Sequence, residues 1–223
     1  MAIVLNIETA TTNCSVSLSK DGETLVLKED NSPGYSHAET LHVFIDEVFK
    51  ISNIDPSRID AVAVSKGPGS YTGLRIGVSS AKGLCFALNK PLISIDTLKS
   101  LAHQVETEEG YIVPMLDARR MEVYSAIYNS KLEIQREIKA EILTEESFNE
   151  LLETDKVYFI GSGVEKTKNL IHHPNAIFID GKLPSASEMS LLAELKHQIS
   201  DTEDVAYFEP YYLKDFVALK KKA

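Results

Sequence analysis

Four of the chain's eleven glycines fall within Lys66–Gly77, KGPGSYTGLRIG, between a strand-like run (Asp60–Ser65) and a helix-like one. A glycine-rich turn at that place can hold phosphate, because backbone N–H groups at a helix start converge on an anion. The spacing tests the idea. A P-loop needs G-x-x-x-x-G-K-[ST], so that lysine and hydroxyl reach phosphate and Mg²⁺. Here Gly73 comes six residues after Gly67, and no Lys-Ser or Lys-Thr follows. A dinucleotide turn needs G-x-G-x-x-G. Gly67 and Gly69 fit, but Thr72 takes the third glycine's place and Pro68 removes a donor, although Asp96 follows the next strand where a ribose-binding acid belongs. The glycines also make sense without a ligand. Gly73, Gly77 and Ala81 recur every fourth residue, and Ile76, Ser80, Gly83 and Ala87 form an adjacent strip. Small residues on two sides let one helix pack closely inward and still meet a second surface. On that reading Gly67, Gly69, Gly73 and Gly77 are structural.

Other residues that could do chemistry are scattered. His37 and His42 are five apart, which turns them from a common helix face, and His103 and His197 stand alone. His172-His173 precedes Pro174, where a helix end would favour cations. No metal site is expected from this set. Cys14 and Cys85 sit among apolar neighbours and read as buried, reduced thiols. No G-x-S-x-G elbow announces a serine hydrolase.

The elements that must position these residues follow from periodicity. The chain has 223 residues, 43% hydrophobic and 25% charged, with a net charge of −10. That suits a globular α/β protein and disfavours nucleic-acid binding by this chain alone. The start, MAIVLNIETA, lacks a basic segment, and no apolar run is long enough to span a membrane, so a soluble cytoplasmic protein is expected. Strands are expected at 2–8, 14–19 and 23–29, turning at Asp21-Gly22. Ser36-His37-Ala38-Glu39 has the form of a capping box, and Leu41, Phe44, Ile45 and Val48 mark one face of a helix over 36–50. Strand 60–65, helix 72–88, strand 92–95 and a helix near 97–105 complete the order βββαβαβα. After the acidic Glu106–Gly110 the pattern restarts. Strands are expected at 111–117, 122–128 and 133–141, a helix near 144–153, strand 157–160 into a helix, strand 177–179, and helix 186–200. The order predicts two lobes, 1–106 and 107–223, the final helix able to pack back on the first, and a tail at Leu219–Ala223 that frays.

At the level of motifs, GPGSYTGLRIGVSSAKGLC (67–85) closely resembles the GPGSFTGLR-type segment of the TsaB (YeaZ) family. NIETATTNCSVSL (6–18), SHAETLHVFIDEV (36–48) and DARRMEVY (117–124) resemble that family's opening, first helix and second-half start, with YFIGSG and EPYYLKDF as weaker points beyond. The resemblance implies two lobes of actin-like, RNase H-like fold. It implies a non-catalytic scaffold for the TsaD catalytic subunit and the TsaE ATPase, which place a threonylcarbamoyl group on the adenosine beside the anticodon in tRNAs reading codons that begin with A. It implies pairing of helices 36–50 and 72–88 with the matching TsaD helices, or with a second copy when the partner is absent. The interface residues expected are His37, Leu41, Ile45, Arg75, Ile76, Ser79 and Gly83. The related catalytic subunit carries N-H-L-E-G-H after the strand beyond the glycine loop. Here Thr97 and Leu101 stand at the histidine positions, and leucine has no donor atom, so that metal site cannot form. ATP or ADP is expected only on partners or at the shared interface, and tRNA only through the complex. Glu8 stands where kinase cousins carry an aspartate near nucleotide; with Gly161 and Gly163 it reads as a vestigial nucleotide site or a plain turn. Arg119 and Arg120 read as an exposed turn with an ion pair, or as a contact to tRNA or a partner. The rival is a free-standing small-molecule kinase or ATPase of the same fold using Glu8 and Gly161–Gly163. A third reading is a dinucleotide enzyme using Gly67–Thr72 and Asp96.

Overall fold

The computed structural model describes residues 2–32 and 37–214. It opens with an antiparallel meander of β1 (Ile3–Glu8), β2 (Cys14–Lys20) and β3 (Glu23–Asp30). Asp21 and Gly22 both take positive φ, 55° and 83°, which matches the twist of a two-residue hairpin. Next comes α1 (His37–Ser52), which stops at Asn53 in the left-handed conformation (φ 54°). Parallel strands β4 (Ala61–Gly67) and β5 (Leu92–Asp96) flank α2 (Tyr71–Leu88), giving the sheet order β3-β2-β1-β4-β5.

After α3 (Thr97–Ala102) the second half repeats the plan with β6 (Tyr111–Asp117), β7 (Glu122–Asn129) and β8 (Ile134–Ile142). α4 (Asn149–Leu152), β9 (Val157–Ile160), α5 (Val164–Lys168), β10 (Ala176–Ile179) and α6 (Ala186–Gln198) follow. The order β8-β7-β6-β9-β10 is that of the first sheet, with the same parallel and antiparallel neighbours. The chain is thus a duplicated α/β fold built on two mixed five-stranded sheets of the same order.

Packing ties the halves together. α1 and α2 cover one face of the first sheet, placing Leu41, Ile45, Val78 and Ala81 against Leu5, Ile7, Val16 and Val62. The opposite face is covered by α6, whose Ala186, Met189, Leu192 and Ala193 meet Val4, Ala61, Ile93 and Ile95. α3 does the reciprocal, setting Leu98, Leu101 and Ala102 on Ile112, Leu116, Ala126 and Ile160 of the second sheet. Each half therefore sends its last helix to the other's sheet. With helices on both faces, β1 and β4 are buried along almost their whole length, which is why their sequences run apolar rather than alternate.

Three expectations change. The helix read at 144–153 shrinks to α4, because Ser147 Oγ accepts from the Thr144 N–H (2.9 Å) and Phe148 turns left-handed (φ 65°) before it. The helix read to 105 ends at Ala102. His172-His173 lies beyond the end of α5, not on a helix end; His173 Nδ1 accepts from the Asn175 N–H (3.2 Å). Ser36 of the capping box and the tail Leu219–Ala223 lie outside the described residues. No described helix is long and apolar enough to cross a membrane.

Candidate functional site

The glycine loop is spent on the protein itself. The Ser70 N–H donates to the Ala10 carbonyl (2.7 Å), the Gly67 N–H to Thr97 Oγ1 (3.2 Å), and the Gly73 N–H to Ser70 Oγ (3.3 Å). Pro68 has no N–H. Three of the loop's donors, those of Gly67, Ser70 and Gly73, are thus used inside the protein. The glycines answer to closeness instead. A Cβ on Gly69 would fall within 3.0 Å of the Ala10 carbonyl, one on Gly73 within 3.0 Å of the Thr9 carbonyl, and one on Gly77 within 3.0 Å of Thr9 Oγ1. Thr9 Oγ1 in turn donates to the Gly73 carbonyl (2.8 Å). Gly67 takes φ 111°, a conformation that favours glycine. The inner strip of α2 is locked onto the turn that follows β1.

The other side of α2 is open. Arg75, Ser79 and Gly83 are exposed and Ile76 half-buried; a Cβ at Gly83 would meet nothing within 4 Å. Phe86 is 87% exposed on this helix, and Val43 on α1 is 52% exposed. His42 and Ser80 face each other across the two helices (3.4 Å). Phe86 was not among the residues the sequence suggested. Its signal was there: it stands three residues after Gly83 and seven after Ser79, so it continues the outward strip. Three expected interface residues are corrected. His37 is 2% exposed, its Nε2 donating to the Thr11 carbonyl (2.6 Å), while Leu41 and Ile45 are 0% and 7% exposed and face the first sheet. The apolar spacing that suggested an interface on α1 is the spacing of its core face.

A strap from the chain's end braces α2. The Glu203 N–H donates to the Leu92 carbonyl (2.8 Å) and the Tyr211 N–H to the Lys66 carbonyl (2.7 Å). Lys82 Nζ donates to the carbonyls of Ala206 (3.1 Å) and Phe208 (3.0 Å). The Arg75 guanidinium lies 4.4 Å from the Tyr71 ring centroid, and its Nε donates to the Tyr212 hydroxyl (3.3 Å).

The remaining candidates find local partners. Glu8 is fully buried. Its Oε1 accepts from the Ala10 N–H (2.5 Å) and the Ser65 hydroxyl (2.8 Å), and its Oε2 has no partner. Burial pushes its carboxyl up to about 7, against the pull of the Ala10 N–H, the Ser65 hydroxyl and the Thr9 N–H. Gly161 (φ 110°) is pressed against the Met115 carbonyl and Leu101, and Gly163 against Met115 and Val123. The partners of Glu8 belong to the first half, and those of Gly161 and Gly163 to the second half and α3. Asp96 caps α3, accepting from the N–H groups of Leu98 (2.9 Å) and Lys99 (3.2 Å). Leu101 is core and Thr97 is buried under the glycine loop. Among the described residues, no group of three His, Cys, Asp or Glu side chains is arranged to hold a metal. Arg119 and Arg120 form the exposed β6–β7 turn with φ 69° and 51°. The ion pair there is made by Lys166 to Asp117 (2.9 Å) rather than by an arginine. Cys14 and Cys85 are buried and free, and burial pushes the Cys85 thiol up to about 11.

A family model described as TsaD, tRNA N6-adenosine threonylcarbamoyltransferase, matches residues 34–222. The tRNA threonylcarbamoyladenosine biosynthesis protein TsaB of Haemophilus influenzae is 31% identical, the match covering 98% of this chain and 96% of that protein. The Escherichia coli protein of the same name is also 31% identical, covering 98% and 97%. The crystal structure of YeaZ from Pseudomonas aeruginosa superposes with a TM-score of 0.82 at 26% identity, covering 96% of this chain and all of that one.

Proposed function

We infer the protein's role from one premise: the chain belongs to the TsaD-type family of tRNA N6-adenosine threonylcarbamoyltransferases and, within it, to the TsaB (YeaZ) branch. It is a tRNA threonylcarbamoyladenosine biosynthesis protein that works with TsaD. Its part in the modification is that of a non-catalytic scaffold, docking TsaD through the outer face of α1 and α2, with TsaE joining the assembly. In the absence of TsaD the same face pairs two copies of this chain. Nucleotide belongs to the partners or to the shared interface, and tRNA is engaged through the complex.

The observation that carries this reading is the outer face of α2, where Phe86 is 87% exposed beside an open Gly83. A phenyl ring left in water beside small residues is what a second helix pair would cover. Fully burying it is worth roughly 1.5–3 kcal/mol, or about 10- to 150-fold in affinity. The two-sided packing of α2 supports the same role, since its inner strip is rigidly held while Ser79, Gly83 and Phe86 on its outer side are exposed. Thr97 and Leu101, where the catalytic subunit carries metal-binding histidines, support the non-catalytic part.

The test is size-exclusion chromatography with light scattering on this chain mixed with TsaD from the same source. A one-to-one complex is expected, weakened at least about tenfold by Phe86→Glu or Gly83→Leu while the free chain keeps its melting temperature. A complex equally strong in both variants sinks the assignment of this face. Absence of any complex, with tight ATP·Mg²⁺ binding by the lone chain, favours the kinase reading.

A further inference from the structure

A cavity of about 520 Å³ opens where the end of β5 and the start of α3 meet α6 and the β7–β8 hairpin. It is of the size that holds a small organic ligand. None of Glu8, Thr9, Gly161 or Gly163 lines it, so it is separate from the ends of β1 and β9. Its charge is opposite to that of the chain. The protein carries 33 acidic residues against 23 lysines and arginines, yet three lysines, Lys66, Lys99 and Lys196, line this cavity against two carboxylates, Asp96 and Glu133.

The three lysines are not equivalent. Lys196 is held by the Ser94 carbonyl (3.0 Å) and by Asp201 (3.0 Å). Lys66 and Lys99 form no ion pair with a described residue other than their attraction to Asp96, whose carboxylate is already engaged by two backbone N–H groups. Two ammonium groups on one rim suit a dianion better than a single carboxylate. The lining also carries apolar side chains, Leu192 and Leu195 of α6 and Leu132 and Ile134 of the hairpin. Tyr128 and Asp96 add a hydroxyl and a carboxylate to the lining, which can pair with hydroxyl or amine groups. The walls are preformed. Asn129 Oδ1 accepts from the N–H groups of Lys131 (3.0 Å) and Glu133 (3.0 Å), and its Nδ2 donates to Glu133 (2.7 Å), which pins the hairpin tip.

We propose that this cavity is a second, small-molecule site that binds a phosphate monoester of mononucleotide size. The phosphate sits on Lys66 and Lys99 and the apolar or planar body lies against Leu192, Leu195 and Ile134. The test follows amide resonances of the full ¹⁵N-labelled chain during titration with AMP, adenosine or inorganic phosphate. AMP should give saturable shifts on both walls, at Leu132–Ile134 and Leu192–Lys196. The double variant Lys66→Gln/Lys99→Gln should keep its spectrum elsewhere and bind AMP at least about tenfold more weakly. Leu195→Asp should weaken AMP but leave the inorganic phosphate response unchanged. Three results overturn the proposal: no shift on either wall at about 10 mM AMP, adenosine binding as tightly as AMP, or the double lysine variant binding AMP like the parent.

Discussion

Glu8→Gln should remove a pH dependence of stability that the fold builds into the end of β1. Glu8 is 0% exposed, and its carboxyl is raised from 4.5 to about 7 by burial. Between those two values the folded protein holds a proton that the unfolded chain has released. Stability therefore falls as pH rises from about 4.5 to about 7, and the loss is complete above that. Below 4.5 both states are protonated and the penalty is absent. The gap between 4.5 and about 7, at about 1.4 kcal/mol per pH unit, amounts to roughly 3 kcal/mol. For a chain of this size that is roughly 6–12 °C in melting temperature. Glutamine carries no charge, and its carbonyl can still accept from the Ala10 N–H and the Ser65 hydroxyl, so the interlock survives. Its amide will face the place where Oε2 has no partner, so at pH 5 the variant should be no more stable than the parent. The assay is calorimetric melting of both proteins from pH 5 to 8 at fixed ionic strength. The two proteins differ only at Glu8, so the difference between the curves isolates its carboxyl. The parent should lose several degrees relative to the variant across this range. Parallel curves would refute the reasoning, because they would mean that Glu8 is already ionised when folded.

Gly73→Ala and Gly77→Ala drive a methyl into Thr9 and should each cost roughly 1–3 kcal/mol or more, read by urea denaturation, whereas Gly83→Ala should change stability by less than about 1 kcal/mol. If all three behave alike, the inner and outer strips of α2 have been misassigned. Cutting the chain after Lys182 removes α6 and uncovers Val4, Ala61, Ile93 and Ile95; the remainder should be insoluble or bind a hydrophobic dye strongly. A soluble, monomeric, dye-silent truncation would show that the first half does not need the second half's helix.

The sequence reading was strongest where one local rule acted alone. The meander, the Asp21-Gly22 turn, α2 and the buried strands β1 and β4 each carry an unmixed period or a turn residue with a single job. α4 was overestimated because Ser147 bonds back to the Thr144 backbone, a competition invisible to apolar spacing. The exchange of α3 and α6 between halves rests on contacts to the sheet of the other half, so periodicity could give each helix an apolar face but not name the sheet beneath it. The site shows the same limit. Leu41, Ile45 and Phe86 are all large apolar residues on helices of the expected pair, and composition treats them alike. Only the sheet under α1 makes the first two core, while Phe86 is left uncovered by the described residues.

The glycine loop's hydrogen bonds favour packing over phosphate holding at three of its positions. A cradle must leave N–H groups free at the mouth of the loop. Here those of Ser70 and Gly73 are taken by Ala10 and by Ser70 itself, and that of Gly67 by Thr97. The threonine doing this stands where the catalytic relatives are expected to carry a metal-binding histidine. One substitution thus bears on two losses: it withholds a metal ligand, and it supplies an acceptor that closes the loop. What the closure gives in return is rigidity. α2 is fixed on Thr9 and Ala10 along its inner strip and braced by Lys82 and Arg75 from the strap. A helix held on those sides loses little further freedom when its remaining face is covered, which lowers the entropic cost of docking a partner. The same residues that take up these loop donors therefore hold α2 rigid beneath the outer face proposed to dock TsaD.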